Sequence, residues 1–144
     1  MLQQYGVLAF DFGEDGALRI LLITSRDTGR WVIPRGNPIP DLSPRESAVQ
    51  EGYEEAGITG IVGPAAIGSY DYGKRRKDGS VDPARVDVFP LRVTHQSERW
   101  PESHQRRKQW FGREAAADAV DEPGLKSLIR GFVPPEYAER QPPS

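Results

Sequence analysis

Three glutamates, Glu51, Glu54 and Glu55, stand within five residues of a stretch that ends at Gly57. On a helix, at 100° per residue, they fall within an arc of about 100° on one face. Val49, Gly52, Tyr53 and Ala56 lie opposite and suit the core. Like charges three or four positions apart destabilise a helix by a few tenths of a kcal/mol, and anions near its C-terminus oppose the macrodipole. A compensating positive charge is therefore expected. Hard divalent cations fill that place naturally, and magnesium is held by a few carboxylates together with waters and phosphate oxygens. Taken alone, the three glutamates equally fit a solvated helix face.

The helix that presents them has clear ends. Ser43-Pro44-Arg45-Glu46 has the form of a capping box with proline in the first turn, and Gly57 can take the left-handed conformation that closes a C-terminus. Around it the sequence predicts strands. Residues 5–12 and 18–24 are joined by the Gly13-Glu14-Asp15-Gly16 turn, and Trp31-Val32-Ile33 stops at Pro34. Residues 58–62, 67–72, 85–93 and 109–111 follow, with Pro90 expected to mark an edge or a bulge. Residues 114–120 and 123–131 are expected to be helical, the second helix N-capped by Asp121. The implied fold class is α/β (α+β) with a mixed sheet. Residues 1–133 are expected to form one domain, followed by a Pro-rich, unstructured tail at 134–144.

Composition narrows the function classes. A chain of 144 residues with 37% apolar and 28% charged residues suits one soluble core. The absence of cysteine excludes disulfides and thiolate zinc sites, and His95 and His104 are too few for a histidine metal site. The run 18–23 is interrupted by Arg19 and is far shorter than the ~20 residues a membrane span needs. A cytoplasmic protein is expected. A net charge of −2 argues against general affinity for nucleic acid or anionic membrane, so any polyanion site must be local.

The segment 36–58, GNPIPDLSPRESAVQEGYEEAGI, resembles the Nudix box in unbroken register. Gly36, Glu51, Glu54, Glu55, Gly57 and Ile58 stand where the family pattern places them. Leu42, Gln50 and Gly52 depart from it, replacing a glutamate, an arginine and an aliphatic residue. In the family that glutamate and arginine support one another, so losing both leaves neither charge unpaired. Gly52 costs about 1 kcal/mol relative to alanine in a helix, which points to close approach of another backbone.

The resemblance implies a Nudix-type α/β/α sandwich and a hydrolase of phosphoanhydride bonds that uses Mg²⁺, with Mn²⁺ as the alternative ion. It also implies that Glu51 orients or deprotonates water, and that Glu54, Glu55 and the Gly36 carbonyl hold the metal beside Glu51. A further carboxylate from outside the box is expected, Glu98 first and Glu102 second. Thr24-Ser25-Arg26 through Arg30-Trp31, Glu98-Arg99-Trp100 and Arg106-Arg107-Lys108-Gln109-Trp110-Phe111 resemble the diphosphoinositol polyphosphate phosphohydrolase branch. With them, Arg26, Arg35 and the hairpin residues Lys74, Arg75, Arg76 and Lys77 would suit a very anionic small-molecule substrate. The alternatives are a dinucleoside polyphosphate or nucleotide-sugar hydrolase, and a non-catalytic domain that binds phosphorylated ligands. Trp31 fits core packing as well as base stacking. A homodimer is compatible with the resemblance.

Overall fold

Alternation along the first strand sets up the architecture. In the computed structural model, which describes residues 1–135, β1 (Leu2–Phe12) sends Val7 and Ala9 to one face of the sheet and Leu8 and Phe10 to the other. The first pair packs with Ala48 and Ala56 of helix α1 (Pro44–Ala56). The second packs with Ala116 and Ala117 of α2 (Arg113–Ala119) and with Leu125 and Ile129 of α3 (Pro123–Gly131). One sheet thus separates two apolar cores, each covered by helix, as a chain with period-2 burial on both faces requires.

The sheet is mixed. β1 runs parallel to β7 (Val81–Gln96) and antiparallel to β2 (Leu18–Thr24) and β4 (Arg35–Gly36). β2 also pairs with β3 (Trp31–Val32) and β8 (Lys108–Gly112). β7 carries β6 (Gly68–Arg75) along its first half and β5 (Ile58–Val62) along its second. Pro90 lies between these two pairings, opposite Leu8 of β1, and β7 passes through it without a break. The Pro90 carbonyl accepts from Gly63 on the β5/β6 side. Its missing donor therefore falls where the two neighbours part, and no edge or bulge forms there. The register shift comes further on, between Thr59 and Gly60 against His95 and Val93. A Cβ on Gly60 would collide with the Arg92 carbonyl, so this position needs glycine.

Helix α1 begins with the expected reciprocal capping box between Ser43 and Glu46 and ends at Gly57 with φ 68°. Its orientation differs from the helical-wheel expectation. Val49 and Tyr53 are only half-buried, while Ser47, Ala48, Gly52, Glu55 and Ala56 are buried. A helix lying close over a sheet uses its smallest side chains at the contact. A Cβ on Gly52 would sit 3.3 Å from Val7 Cγ2 and 3.5 Å from Ile58 Cγ1, so the close neighbours are side chains rather than backbone. This rotation carries Glu55 inward.

At α3 the N-cap is Glu122, not Asp121, and its side chain makes no capping bond. Pro123 already suits the first turn, and both acidic groups are engaged elsewhere: Asp121 with Arg30 at 3.4 Å and Glu122 with Arg35 at 2.7 Å. No helix among the described residues is long and apolar enough to cross a membrane. Of the expected tail, 136–144 lie outside the described residues.

Candidate active site

A cleft of about 460 Å³ opens beside the acidic face of α1, and Glu51, Glu54 and Glu55 all line it. β4 forms its near wall. The Arg35 backbone N–H donates to Glu55 Oε1 at 3.1 Å. The next residue, Gly36, lies so close to the Glu51 carboxylate that any Cβ there would collide with it. Glycine at 36 is thus a steric condition for Glu51 to reach the cleft.

Glu55 is 7% exposed. Burial, reinforced by the nearby Glu51 charge and opposed by Arg106, pushes its pKa up to about 8. Burial also raises Glu51, with the charges of Glu54 and Glu102 acting in the same direction and a hydrogen bond from Glu55 opposing them. Without a cation, burial shifts both groups toward the protonated form. The donors offered here are all oxygens, from Glu51, Glu54, Glu55 and the backbone at Gly36, which is the set that magnesium or manganese accepts. Among the described residues no three acidic or imidazole side chains converge into a closed metal cage. A cation in this cleft would complete its coordination with backbone, water and substrate oxygens, as magnesium commonly does.

Two groups reach the site from the segment between β7 and β8. Arg106 Nη2 lies 3.3 Å from Glu55 Oε2, its Nε donates to Glu102 Oε1 at 2.8 Å, and its Nη1 donates to the Thr24 carbonyl at 3.1 Å. Its side chain is only 9% exposed, so water screens these contacts little. Glu102 lines the cleft and its backbone N–H donates to the Glu54 carbonyl at 3.0 Å. Glu98, the first choice from sequence, is exposed and lies outside the cleft lining. Glu98 precedes the turn at residues 101–105, and Glu102 is the carboxylate that this turn brings to the cleft.

Arg106 was not singled out by sequence as a site residue. A cue existed: the box lacks its arginine at Gln50, which left three glutamates without a partner cation on their own helix. Gln50 itself donates to Glu54 Oε1 at 3.3 Å. The positive charge comes from about fifty residues further along the chain.

The expected phosphate-binding residues divide into two groups. Arg26, Lys74 and Arg75 line the cleft, joined by Arg30. Arg76 does not; it pairs with Asp82 across the β6–β7 hairpin and is exposed. Lys77 is likewise outside the lining. Arg35 lines the cleft, but its guanidinium is already committed to Glu122 and the Tyr70 hydroxyl, both at 2.7 Å, and stacks 3.7 Å from the Tyr72 ring centroid. Its contribution is to anchor β4 beside Glu55. Trp31 packs edge-on against Phe111, with ring centroids 5.2 Å apart, and Arg107 lies over it.

Comparison with known proteins agrees with this arrangement. Nudix hydrolase 21 of Arabidopsis thaliana is 30% identical over 119 residues, covering 82% of this chain and 58% of that protein. Diphosphoinositol polyphosphate phosphohydrolase 3-alpha of Mus musculus is 36% identical over 99 residues, covering 67% and 56%. The chain therefore spans a little over half the length of these two relatives. Among solved structures, a C. elegans Ap4A hydrolase superposes with a TM-score of 0.64 at 20% identity, over 90% of this chain and 94% of that one, and shares the fold. The NUDIX domain family model matches residues 2–132, nearly the whole of the described chain, and with the box glutamates gathered on one cleft this protein belongs to the Nudix family.

Proposed function

We propose that this protein is a hydrolase of phosphoanhydride bonds that works with Mg²⁺, or Mn²⁺ in its place, on a small polyphosphorylated substrate. The observation that carries the reading is that Glu51, Glu54, Glu55 and Glu102 line a single cleft that basic side chains also line. What the metal supplies when bound is neutralisation of phosphate oxygens and a lowered pKa for bound water.

The chain's own residues do the rest. A Glu51 carboxylate oxygen accepts a proton from the attacking water, a task suited to a carboxylate whose pKa burial has raised above the ordinary value. Glu54, Glu55 and the Gly36 carbonyl supply the metal's oxygen ligands, and Glu102 takes the part expected of Glu98. Arg106 and the Arg35 N–H hold Glu55 in place from two sides. Leaving phosphate is received by the basic lining.

The finer proposal is that the substrate is a diphosphoinositol polyphosphate. Its support is the likeness to the murine phosphohydrolase and the presence of Arg26, Arg30, Lys74 and Arg75 along one cleft. Lys74 and Arg75 have no ion-pair partner among the described residues and are available to phosphate.

The test is product analysis after incubation with magnesium and a panel of diphosphoinositol phosphates, dinucleoside polyphosphates, nucleoside triphosphates and nucleotide sugars. Turnover of the inositol substrates is expected to be highest. Lys74→Met with Arg75→Met is expected to lower kcat/KM for them by roughly tenfold per lost phosphate contact, and for a nucleotide sugar much less. Equal losses on both would remove the inositol assignment. Binding without turnover of any compound would leave a sensor domain instead of an enzyme.

A further inference from the structure

An α-helix leaves its last carbonyls without intrahelical partners. At the C-terminus of α1 four consecutive carbonyls are met by one segment, residues 97–108. The Glu54 carbonyl accepts from the Glu102 N–H at 3.0 Å and the Gly57 carbonyl from the Ser97 N–H at 2.8 Å. Between them, the Glu55 carbonyl accepts from Trp100 Nε1 at 3.1 Å, and the Ala56 carbonyl from Lys108 Nζ at 2.9 Å.

The two side-chain donors also support one another. Lys108 Nζ lies 4.2 Å from the Trp100 ring centroid, and the Trp100 ring lies so close to Gly57 that a Cβ there would be 2.6 Å from Trp100 Cε3. α1 has no basic residue in its own last turn. Lys108 places an ammonium at the negative end of the helix dipole, below three carboxylates that need one.

We infer that Trp100 and Lys108 are positioning residues: a double side-chain cap that fixes the register at which Glu102 and Arg106, carried between them on the same segment, meet Glu51 and Glu55. The inference rests on the hydrolase reading above for its functional part. Neither side chain lines the cleft, so their effect passes through the residues they align. A cap with only a structural task would stabilise the helix and leave the chemistry alone.

The experiment uses the full chain and three variants, Lys108→Met, Lys108→Arg and Trp100→Phe. Turnover of whichever panel substrate the wild type cleaves, Mn²⁺ affinity below the melting temperature, and amide hydrogen exchange are measured on each. Lys108→Met is expected to lower kcat roughly 10- to 100-fold, the range for groups that orient metal ligands, with KM nearly unchanged and Mn²⁺ affinity weakened. Lys108→Arg should recover most of the loss, since it restores the cation. Trp100→Phe keeps the ring against Gly57 and loses only the donor, so a smaller fall in the same direction is expected. The Glu102 and Ser97 amides should exchange faster in Lys108→Met while those of β1 do not. A lower thermal midpoint with wild-type kcat and Mn²⁺ affinity in Lys108→Met would overturn the positioning role. If the wild type neither binds Mn²⁺ nor turns over substrate, the hydrolase reading falls and takes the positioning role with it; the exchange data still decide the cap, and unchanged Glu102 and Ser97 exchange would overturn that as well.

Discussion

Glu51→Gln is expected to reduce turnover by roughly 10²- to 10⁴-fold, the range associated with losing a positioned general base, while the thermal midpoint stays level or rises. The two halves of that result have one cause. Glu51 sits against Gly36 at the edge of the buried Glu55, and its charged form is disfavoured by burial and by the neighbouring Glu54 and Glu102. A neutral amide of the same shape relieves that repulsion and keeps the packing. It also cannot take a proton from water. Steady-state kinetics and a melting curve on the same preparation check both halves. Near-normal activity would show that another group is the base; a large drop in midpoint would show that the carboxylate is a structural element.

The second large effect is expected at Arg106. Removing one partner of a buried ion pair typically destabilises by about 3–5 kcal/mol, because the other charge is left uncompensated. Arg106→Met leaves Glu55 with the Arg35 backbone donor and its hydrogen bond with Glu51, and leaves Glu102 with Arg26 at 3.7 Å. The penalty should depend on pH. Glu55 already has a folded-state pKa near 8 against an unfolded value of 4.5, so its burial weakens the fold as pH rises through that interval. Arg106 holds the value down, and without it the raised pKa moves further up. The stability difference between wild type and variant should therefore be smaller at pH 6, where Glu55 can be neutral, and larger at pH 9. Urea denaturation at the two pH values measures this. A loss independent of pH would mean that Arg106 acts by packing and by its bond to Thr24 alone.

These two residues also mark how far the sequence alone carries. Glu51 was legible because the elements that place it are local: a capping box at Ser43 and Glu46, a left-handed Gly57, and helical spacing between them. Arg106 was not, because a partner about fifty residues away is set by the path of β7 and β8 and leaves no periodic trace. Glu98 and Glu102 are four positions apart between β7 and β8, and tertiary contacts such as the hydrogen bond from the Glu102 amide to the Glu54 carbonyl decide which faces the cleft.

The helix wheel gave the angles between residues of α1 correctly but not the absolute rotation. It favoured large Val49 and Tyr53 for the core, whereas close packing on β1 selects Ala48, Gly52 and Ala56 and turns Glu55 inward. Similarly, Arg35 looked like a phosphate ligand by type, yet Glu122, Tyr70 and Tyr72 surround its guanidinium. A positive charge in a sequence says nothing about whether it is already spoken for. The mixed α/β character, by contrast, follows from strand alternation and helix caps, and the structure has it.

The most direct test of the central claim is a calorimetric titration of the metal-free protein with Mn²⁺ at pH 7, repeated in two buffers of different ionisation enthalpy. Glu55 is held largely protonated at that pH by its burial. Ion uptake should therefore be saturable and accompanied by proton release, seen as an apparent binding enthalpy that changes with the buffer. Heats no larger than dilution in both buffers would contradict the account.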